Sequence, residues 1–324
     1  MDLMIEARGL RKHFGEVRAL DGLDVTAQAG QVFAILGPNG AGKTTFIRTI
    51  ATLTSFDAGT LHVCGIDVAK HPKQVRRAIG LAGQYAAVEP ALTGRENLQM
   101  VARLFGHDAR TATRAADIVL EQLGLTDAGN RLVRTYSGGM QRRLDLGASL
   151  VGAPKLLLLD EPTTGLDPRS RNELWHAIED LAARGTDVIL TTQYLDEADR
   201  LADTIAIIDH GRLVAAGTSD ELKSRLGRDV VDVKVSDEAN LHRAAAALGE
   251  EAKVDFEACR VSVPVTGGPD ELVAAIQALG AADISLDDVA LRRPTLDDVF
   301  LALTGKKPAT DGSTGDADDL EVVA

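Results

Sequence analysis

Cysteine is almost missing from this chain: Cys64 and Cys259 are the two in 324 residues. They stand far apart and form neither a CxxC pair nor a Cys/His metal spacing. That excludes a disulfide framework and fits two reduced core thiols of a cytosolic protein. Long apolar runs are missing as well. Apolar runs such as Leu156–Leu159 are strand-sized and far short of the roughly 18 residues of a membrane span. The N-terminal MDLMIEARGL lacks the basic start and apolar core of a secretion signal. If the protein acts on a membrane, it therefore does so through another chain. Bases are in deficit, 35 Lys and Arg against 48 Asp and Glu, for a formal net charge of −13. Such a surface repels nucleic acid and gives no reason for direct adsorption to anionic lipid. Aromatics make up 3% of the chain. Between residues 228 and 305 they are only Phe256 and Phe300, beside 15 acids and 7 bases. Stacking platforms and basic grooves for RNA or DNA need the opposite composition.

What the chain does have is GPNGAGKTT, running through Gly37, Pro38, Asn39, Gly40, Ala41, Gly42, Lys43, Thr44 and Thr45. Two glycines separated by four residues, then Lys and Thr, form the phosphate-binding loop of P-loop nucleotide hydrolases. Glycine permits backbone conformations closed to other residues, so consecutive N–H groups can curl around phosphate oxygens. The helix expected from Gly42 points its positive end at the same anion. Lys43 is spaced to reach the β- and γ-phosphates, and the Thr44 hydroxyl to ligand Mg²⁺. Gln31–Leu36 (QVFAIL) before it reads as a buried strand and TTFIRTI after it as a helix, the context the motif requires. ATP or GTP binding follows.

Two further segments carry chemistry. Leu156–Pro162 (LLLLDEP) reads as a buried strand ending in two acids where a sheet opens to its ligand. Asp160 is expected to hold Mg²⁺, directly or through water, and Glu161 to polarise the attacking water. In Tyr136–Met140 (YSGGM), Ser137 reads as a helix cap, and Gly138 and Gly139 leave N–H groups exposed at the helix start as a second anion site. A plain cap after a turn is the competing reading of that segment.

Alternating patterns over residues 1–27, joined by Leu61–Cys64, predict a small antiparallel unit. Strands around Gln31–Leu36, Ile79–Ala82, Leu156–Asp160, Asp187–Thr191 and Thr204–Ile208, mostly separated by helices, predict a parallel α/β sheet. Residues 88–152 read as an inserted helical block, with helices at Arg95–Phe105, Arg110–Gly124 and Gln141–Val151. The expected organisation is therefore a nucleotide-binding domain over 1–226 and a small α+β domain over 227–305, with a ferredoxin-like order. An acidic, Gly/Ser-rich tail over 306–324 reads as disordered.

The order of motifs resembles the ATP-binding-cassette (ABC) ATPases over residues 3 to about 220: phosphate loop, Gln84, YSGGM for LSGGQ, the acidic strand, GLDP (Gly165–Pro168) and TTQ (Thr191–Gln193). The resemblance implies a P-loop ABC ATPase fold with parallel core sheet, antiparallel β subdomain and helical subdomain. It implies ATP and Mg²⁺, with Phe14 stacking on adenine, although a core aromatic at a hairpin competes for that residue. Gln84 would sense Mg²⁺ and γ-phosphate and border the groove for a membrane partner. Asp167 would organise the contact between two ATPase copies. Ser137, Gly138 and Gly139 would complete the opposite copy's site, which implies a head-to-tail homodimer, since each motif occurs once. Tyr136, Met140 and Gln193 depart from the family pattern. The last stands where a His is usual, and an amide can donate a hydrogen bond to phosphate but carries no charge. Modest turnover, dependent on Glu161, is expected.

TTQYLDEAD, YSGGM and LRRPTLDDVFLALTG (Leu291–Gly305) are similar to the daunorubicin-resistance-type ATP-binding proteins, ATPase subunits of drug exporters. The last segment reads equally as a strand with a docking helix or as a coupling element. The implied protein is the ATP-hydrolysing subunit of an efflux transporter for an anthracycline-like drug, on the cytoplasmic face of a bacterial membrane beside separate multi-span permease subunits. Export of another cargo such as a lipid, or a non-transport cassette acting on ribosomes or DNA, are the alternatives. The second is disfavoured by the single cassette and by the lack of sustained heptads in residues 46–135.

Overall fold

A computed structural model describes residues 2–83, 88–225, 229–266, 268–292 and 294–305. Gln84 and the expected tail over 306–324 lie outside the described residues. The chain divides into two compact units between Ser219 and Asp220.

In the first unit, β1 (Leu3–Phe14) and β2 (Val17–Gln28) form an antiparallel hairpin, followed by β3 (Val32–Leu36) and α1 (Lys43–Ile50). Next come β4 (Ala58–Val63), β5 (Ile66–Asp67), α2 (Pro72–Ala78) and β6 (Ile79–Ala82). Helices α3 (Gly94–Leu104), α4 (Ala109–Gln122) and α5 (Gly138–Leu150) precede β7 (Leu156–Asp160). Then follow α6 (Pro168–Ala183), β8 (Asp187–Thr192), α7 (Leu195–Leu201), β9 (Thr204–Asp209) and β10 (Arg212–Gly217). Helix α8 (Ser219–Ser224) spans the division.

The central sheet has the order β10-β9-β3-β8-β7-β6, with β3, β6, β7, β8 and β9 parallel and β10 antiparallel at one edge. Strands covered on both faces need continuous apolar sequence rather than alternation, and β3 (VFAIL) and β7 (LLLLD) are buried at every position. A second, antiparallel sheet runs β2-β1-β4-β5. Phe46, Ile47 and Ile50 of α1 share one buried cluster with Leu10, Leu20 and Leu61 of this sheet and with Phe33, Ile35 and Leu158 of the parallel one. Helix α1 is thus gripped by both sheets, which fixes where its N-terminus points.

The helical block is punctuated by caps that the sequence specifies. Thr93 and Glu96 form a reciprocal capping box at α3, Asp108 caps α4 through Thr111 N (2.7 Å), and Ser137 caps α5 through Met140 N (3.2 Å). Ser137 is the cap, as its SGG context predicts, so α5 begins at Gly138, ahead of Gln141 where apolar periodicity starts it. Periodicity of apolar residues starts late in this helix, and the cap, not the periodicity, sets its boundary.

The second unit contains β11 (Asp229–Val235), α9 (Leu241–Leu248), β12 (Lys253–Asp255), β13 (Arg260–Val265), α10 (Pro269–Ala281), β14 (Leu286–Arg292) and α11 (Leu296–Thr304). Its sheet is antiparallel with order β12-β13-β11-β14, the ferredoxin-like arrangement. Val231, Val233 and Val235 alternate onto the face packed with Leu241, Ala244 and Leu279. Asp232, between them in sequence, is buried among the guanidinium groups of Arg260 and Arg292 (2.5 and 2.7 Å). A capping box opens α11, with Thr295 and Asp298 bonding reciprocally.

Candidate functional site

Three neighbouring parallel strands end side by side, and each hands the chain to a piece of one site. The phosphate loop follows β3, Glu161 follows β7 and Gln193 follows β8. This is the carboxyl edge of the sheet, where open α/β sheets place their ligands. Phe14, Asn39, Gly40, Gly42, Lys43, Thr44, Thr45, Glu161, Thr164 and Gln193 line one cleft of about 630 Å³.

The loop has the shape its glycines were expected to give. Gly40 and Gly42 have φ of 78° and 104°, in the region that disfavours side chains. A Cβ on Gly37 would lie 2.3 Å from the Ile208 carbonyl oxygen, and one on Gly42 would lie 2.3 Å from that of Ala19. Gly42 is the N-cap of α1. The Lys43 side chain is buried and folds back over the loop, donating to the carbonyls of Gly37 (2.8 Å) and Pro38 (3.1 Å). Its ammonium lies 3.4 Å from Glu161 Oε1. Burial lowers its pKa, and the Glu161 and Asp160 carboxylates oppose that shift.

Asp160, buried at the end of β7, accepts from Thr191 Oγ1 (2.6 Å) and Thr44 Oγ1 (3.2 Å). A hydroxyl and a carboxylate gathered at one oxygen cluster suit a hard cation. Mg²⁺ takes one or two protein oxygens and completes its shell with water and phosphate. The described residues hold no group of three or more His, Cys, Asp or Glu able to form a full protein cage. The residues present therefore fit Mg²⁺ carried with a nucleotide, with Thr44 and Asp160 as its protein oxygens.

Glu161 has φ of 48°, a left-handed conformation rare for a residue with a side chain. Its N–H donates to Thr191 O and Thr191 Oγ1, both at 3.1 Å, and Arg142 Nη2 donates to its carbonyl at 3.2 Å. The TTQ motif gives Thr191 no role of its own, and no motif covers Arg142. Thr191 is legible only through strand register, which pairs it with Asp160 across β7 and β8. Arg142 lies just past YSGGM, and nothing in its spacing announces where its long side chain goes.

Phe14 is 52% exposed and lines the cleft, which rules out the core-aromatic reading. Lys12 Nζ sits 5.2 Å from its ring centroid.

The SGG segment is not in this cleft. Ser137 and Gly138 are exposed, with open space where a Gly138 Cβ would stand. Gly139 is buried against Ser170, with a built Cβ only 2.5 Å from Ser170 Oγ. Ser170 in turn bonds Asp167, the exposed N-cap of α6, through its hydroxyl (2.6 Å) and its N–H (3.0 Å). These bonds hold the Asp167 carboxyl below its usual pKa, the Ser170 hydroxyl contributing most. Ser137, Gly138, Gly139 and Asp167 thus form a second, separate group. Tyr136, in place of the usual Leu, is buried, and its hydroxyl donates to Ala128 O (2.7 Å).

A phosphate loop at the end of one strand, with Asp160, Glu161 and Gln193 at the adjoining strand ends, defines a nucleotide-hydrolysing cassette. A family model described as ABC transporter matches residues 20–164. The daunorubicin resistance ATP-binding protein DrrA2 of Streptomyces coeruleorubidus is 50% identical over 94% of this chain and 95% of its own. The daunorubicin/doxorubicin resistance ATP-binding protein DrrA of Streptomyces peucetius is 50% identical over 99% and 98%. The doxorubicin resistance protein DrrA of Mycobacterium tuberculosis is 44% identical over 94% of each. Among solved structures, a nucleotide-free ATP-binding cassette from an ABC transporter superposes with a TM-score of 0.63 at 26% identity, covering 69% of this chain and 95% of its own. An ABC cassette in its ADP conformation gives 0.62 at 26%, covering 68% and 93%. The chain belongs to the ABC-transporter ATPases, in the group of daunorubicin/doxorubicin-resistance ATP-binding proteins.

Proposed function

We propose that this ATPase energises the export of an anthracycline-like drug, working as a head-to-tail homodimer beneath separate multi-span permease subunits at the cytoplasmic membrane face. The observation that carries the dimer is the separation of the two anion sites. Lys43, Thr44, Glu161 and Gln193 share one cleft, while Ser137 and Gly138 stand exposed beside Asp167, outside that cleft. Antiparallel pairing brings each exposed helix start over the other copy's phosphate loop. ATP is then held by both copies, and its hydrolysis releases them.

Within the cleft, the loop N–H groups and Lys43 hold the phosphates, and Phe14 offers its exposed ring to adenine. Thr44 and Asp160 supply the Mg²⁺ oxygens, with Gln84 as a further contact, and the bound ion would neutralise phosphate charge. Glu161 orients the attacking water and accepts its proton. Gln193 donates a hydrogen bond toward the γ-phosphate side.

No helix among the described residues is long and apolar enough to cross a membrane. A mostly apolar groove of about 310 Å³, lined by Leu53, Leu81, Val101 and Phe105 together with Arg76 and Asp145, supports the permease reading. Leu53 and Phe105 are 63% and 51% exposed there. The drug cargo rests on the relatives' names. Co-expression with a candidate permease tests it: cells should exclude a fluorescent anthracycline, and Lys43→Ala should abolish exclusion. Exclusion that survives Lys43→Ala removes the transport reading. Purified Glu161→Gln protein that stays monomeric in saturating Mg-ATP, with permease present, removes the dimer.

A further inference from the structure

Arg142 stands in the first turns of α5, a few residues beyond the SGG segment, yet its side chain runs away from that segment and into the protein, where it is 12% exposed. Its guanidinium is spent on backbone. Nε donates to Pro162 O (2.6 Å), Nη1 to Gly83 O (2.8 Å) and Nη2 to Glu161 O (3.2 Å). Nη1 also meets Asp145 Oδ2, one turn further along α5, at 3.3 Å. The three carbonyls lie just beyond the ends of two neighbouring strands, β6 and β7, where the ladder stops and backbone acceptors lose their strand partners. A planar fork of five donors can serve several acceptors at fixed angles, which a lysine ammonium cannot. Asp145, buried on the same helix, balances the charge.

One of those carbonyls belongs to Glu161, whose left-handed φ is held on its amide side by Thr191. With Arg142 on its carbonyl side, both peptide groups flanking the Glu161 Cα are pinned. The direction of a side chain follows from the backbone at its Cα, so these two clamps together aim the carboxylate into the cleft. Thr191 belongs to the sheet, whereas Arg142 belongs to the helix capped by Ser137.

We propose that Arg142 is a positioning residue for ATP hydrolysis, clipping the helix of the SGG segment to the backbone of Glu161 so that the carboxylate is aimed only while that helix holds its place. A shift of α5 when a second copy engages Ser137 and Gly138 would then be felt at Glu161 through one side chain. The inference rests on Glu161 as the residue that activates water.

The test compares full-length Arg142→Met and Arg142→Lys with the parent chain and with Glu161→Gln. Steady-state ATPase gives kcat and KM, and a fluorescent nucleotide gives Mg-ATP affinity. Arg142→Met loses the charge-assisted hydrogen bonds to the backbone, and Arg142→Lys keeps a charged donor without the fork that serves three carbonyls. The expected result is a fall in kcat of about tenfold or more for Arg142→Met and a smaller fall for Arg142→Lys, with KM and nucleotide affinity within about twofold of the parent. A residue that merely stabilises the fold would lower the melting temperature and leave kcat of the folded fraction unchanged. Parental kcat in either folded variant overturns the proposal, and Arg142→Lys carries the test if Arg142→Met does not fold. Parental turnover in Glu161→Gln instead removes the assignment of Glu161, and this inference with it, a result distinguishable because it appears without any change at Arg142.

Discussion

Replacing Gly42 by alanine separates the two ways in which a glycine can matter in the phosphate loop. The new methyl would stand 2.3 Å from the carbonyl oxygen of Ala19 and 3.3 Å from Leu20 Cδ2. The first contact is with backbone, so no side-chain rotation relieves it, and the loop has to give by roughly 1 Å to restore an ordinary separation. Positive φ at the same residue adds strain of about 1–3 kcal/mol. Gly42 caps α1, so the displacement passes directly to the N–H groups and Lys43 proposed to hold the phosphates, and a misplacement of that size costs on the order of 100-fold. Gly40 is the control. Its φ is 78°, but a Cβ there meets nothing within 4 Å. Gly40→Ala carries strain alone, shared by the free and the nucleotide-bound loop, and should weaken Mg-ATP binding clearly less than Gly42→Ala does. Both variants are measured by fluorescent-nucleotide titration, with thermal melting to confirm the fold. Binding by Gly42→Ala within threefold of the parent, or equal losses in the two variants, would refute the steric argument.

Thr191→Val removes the hydroxyl that donates to Asp160 and accepts from Glu161 N, and should cost about 1–2 kcal/mol of stability and lower kcat at limiting Mg²⁺. Melting curves and a magnesium titration of the ATPase check both parts. Glu161→Gln should reduce kcat far more than Gln193→Ala. A rate that collapses in Gln193→Ala yet survives in Glu161→Gln would contradict the assigned roles. Burial raises the Tyr136 phenol above its usual pKa. The unfolded chain therefore releases that proton first, so its contribution to stability is complete below about pH 10 and is lost as pH climbs through the folded value. The melting temperature of the parent should fall more steeply above pH 10 than that of Tyr136→Phe, which itself loses about 1 kcal/mol with the bond to Ala128. Equal slopes would count against a buried, neutral phenol.

Much of this was legible before any coordinates. The phosphate loop and the acidic strand announce themselves because glycine spacing and fully apolar strands have local physical causes. The ferredoxin-like order of the second unit was legible from its alternation of strand and helix. Other parts depend on register and reach. Thr191 meets Asp160 only because β8 lies against β7 in one register. Arg142 reaches three carbonyls that are 20, 19 and 59 residues away in sequence. The edge strand β10 escapes apolar periodicity, which also starts α5 three residues late although Ser137 reads as its cap, for a simpler reason. Apolar periodicity marks what is buried, whereas caps and turns decide where an element begins.

Tyr136 has a consequence for how this sequence can drift. Its hydroxyl occupies the space where a Cβ on Gly94 would fall, 2.3 Å from the oxygen, at the first residue of α3. The two positions are therefore not free to vary singly: while the phenol is present, residue 94 is confined to glycine. A lineage that replaced the tyrosine with leucine would regain room for alanine or serine at 94, and the reverse exchange would be barred until glycine returned. Natural variation should record this as correlated pairs, with the order of the two changes fixed.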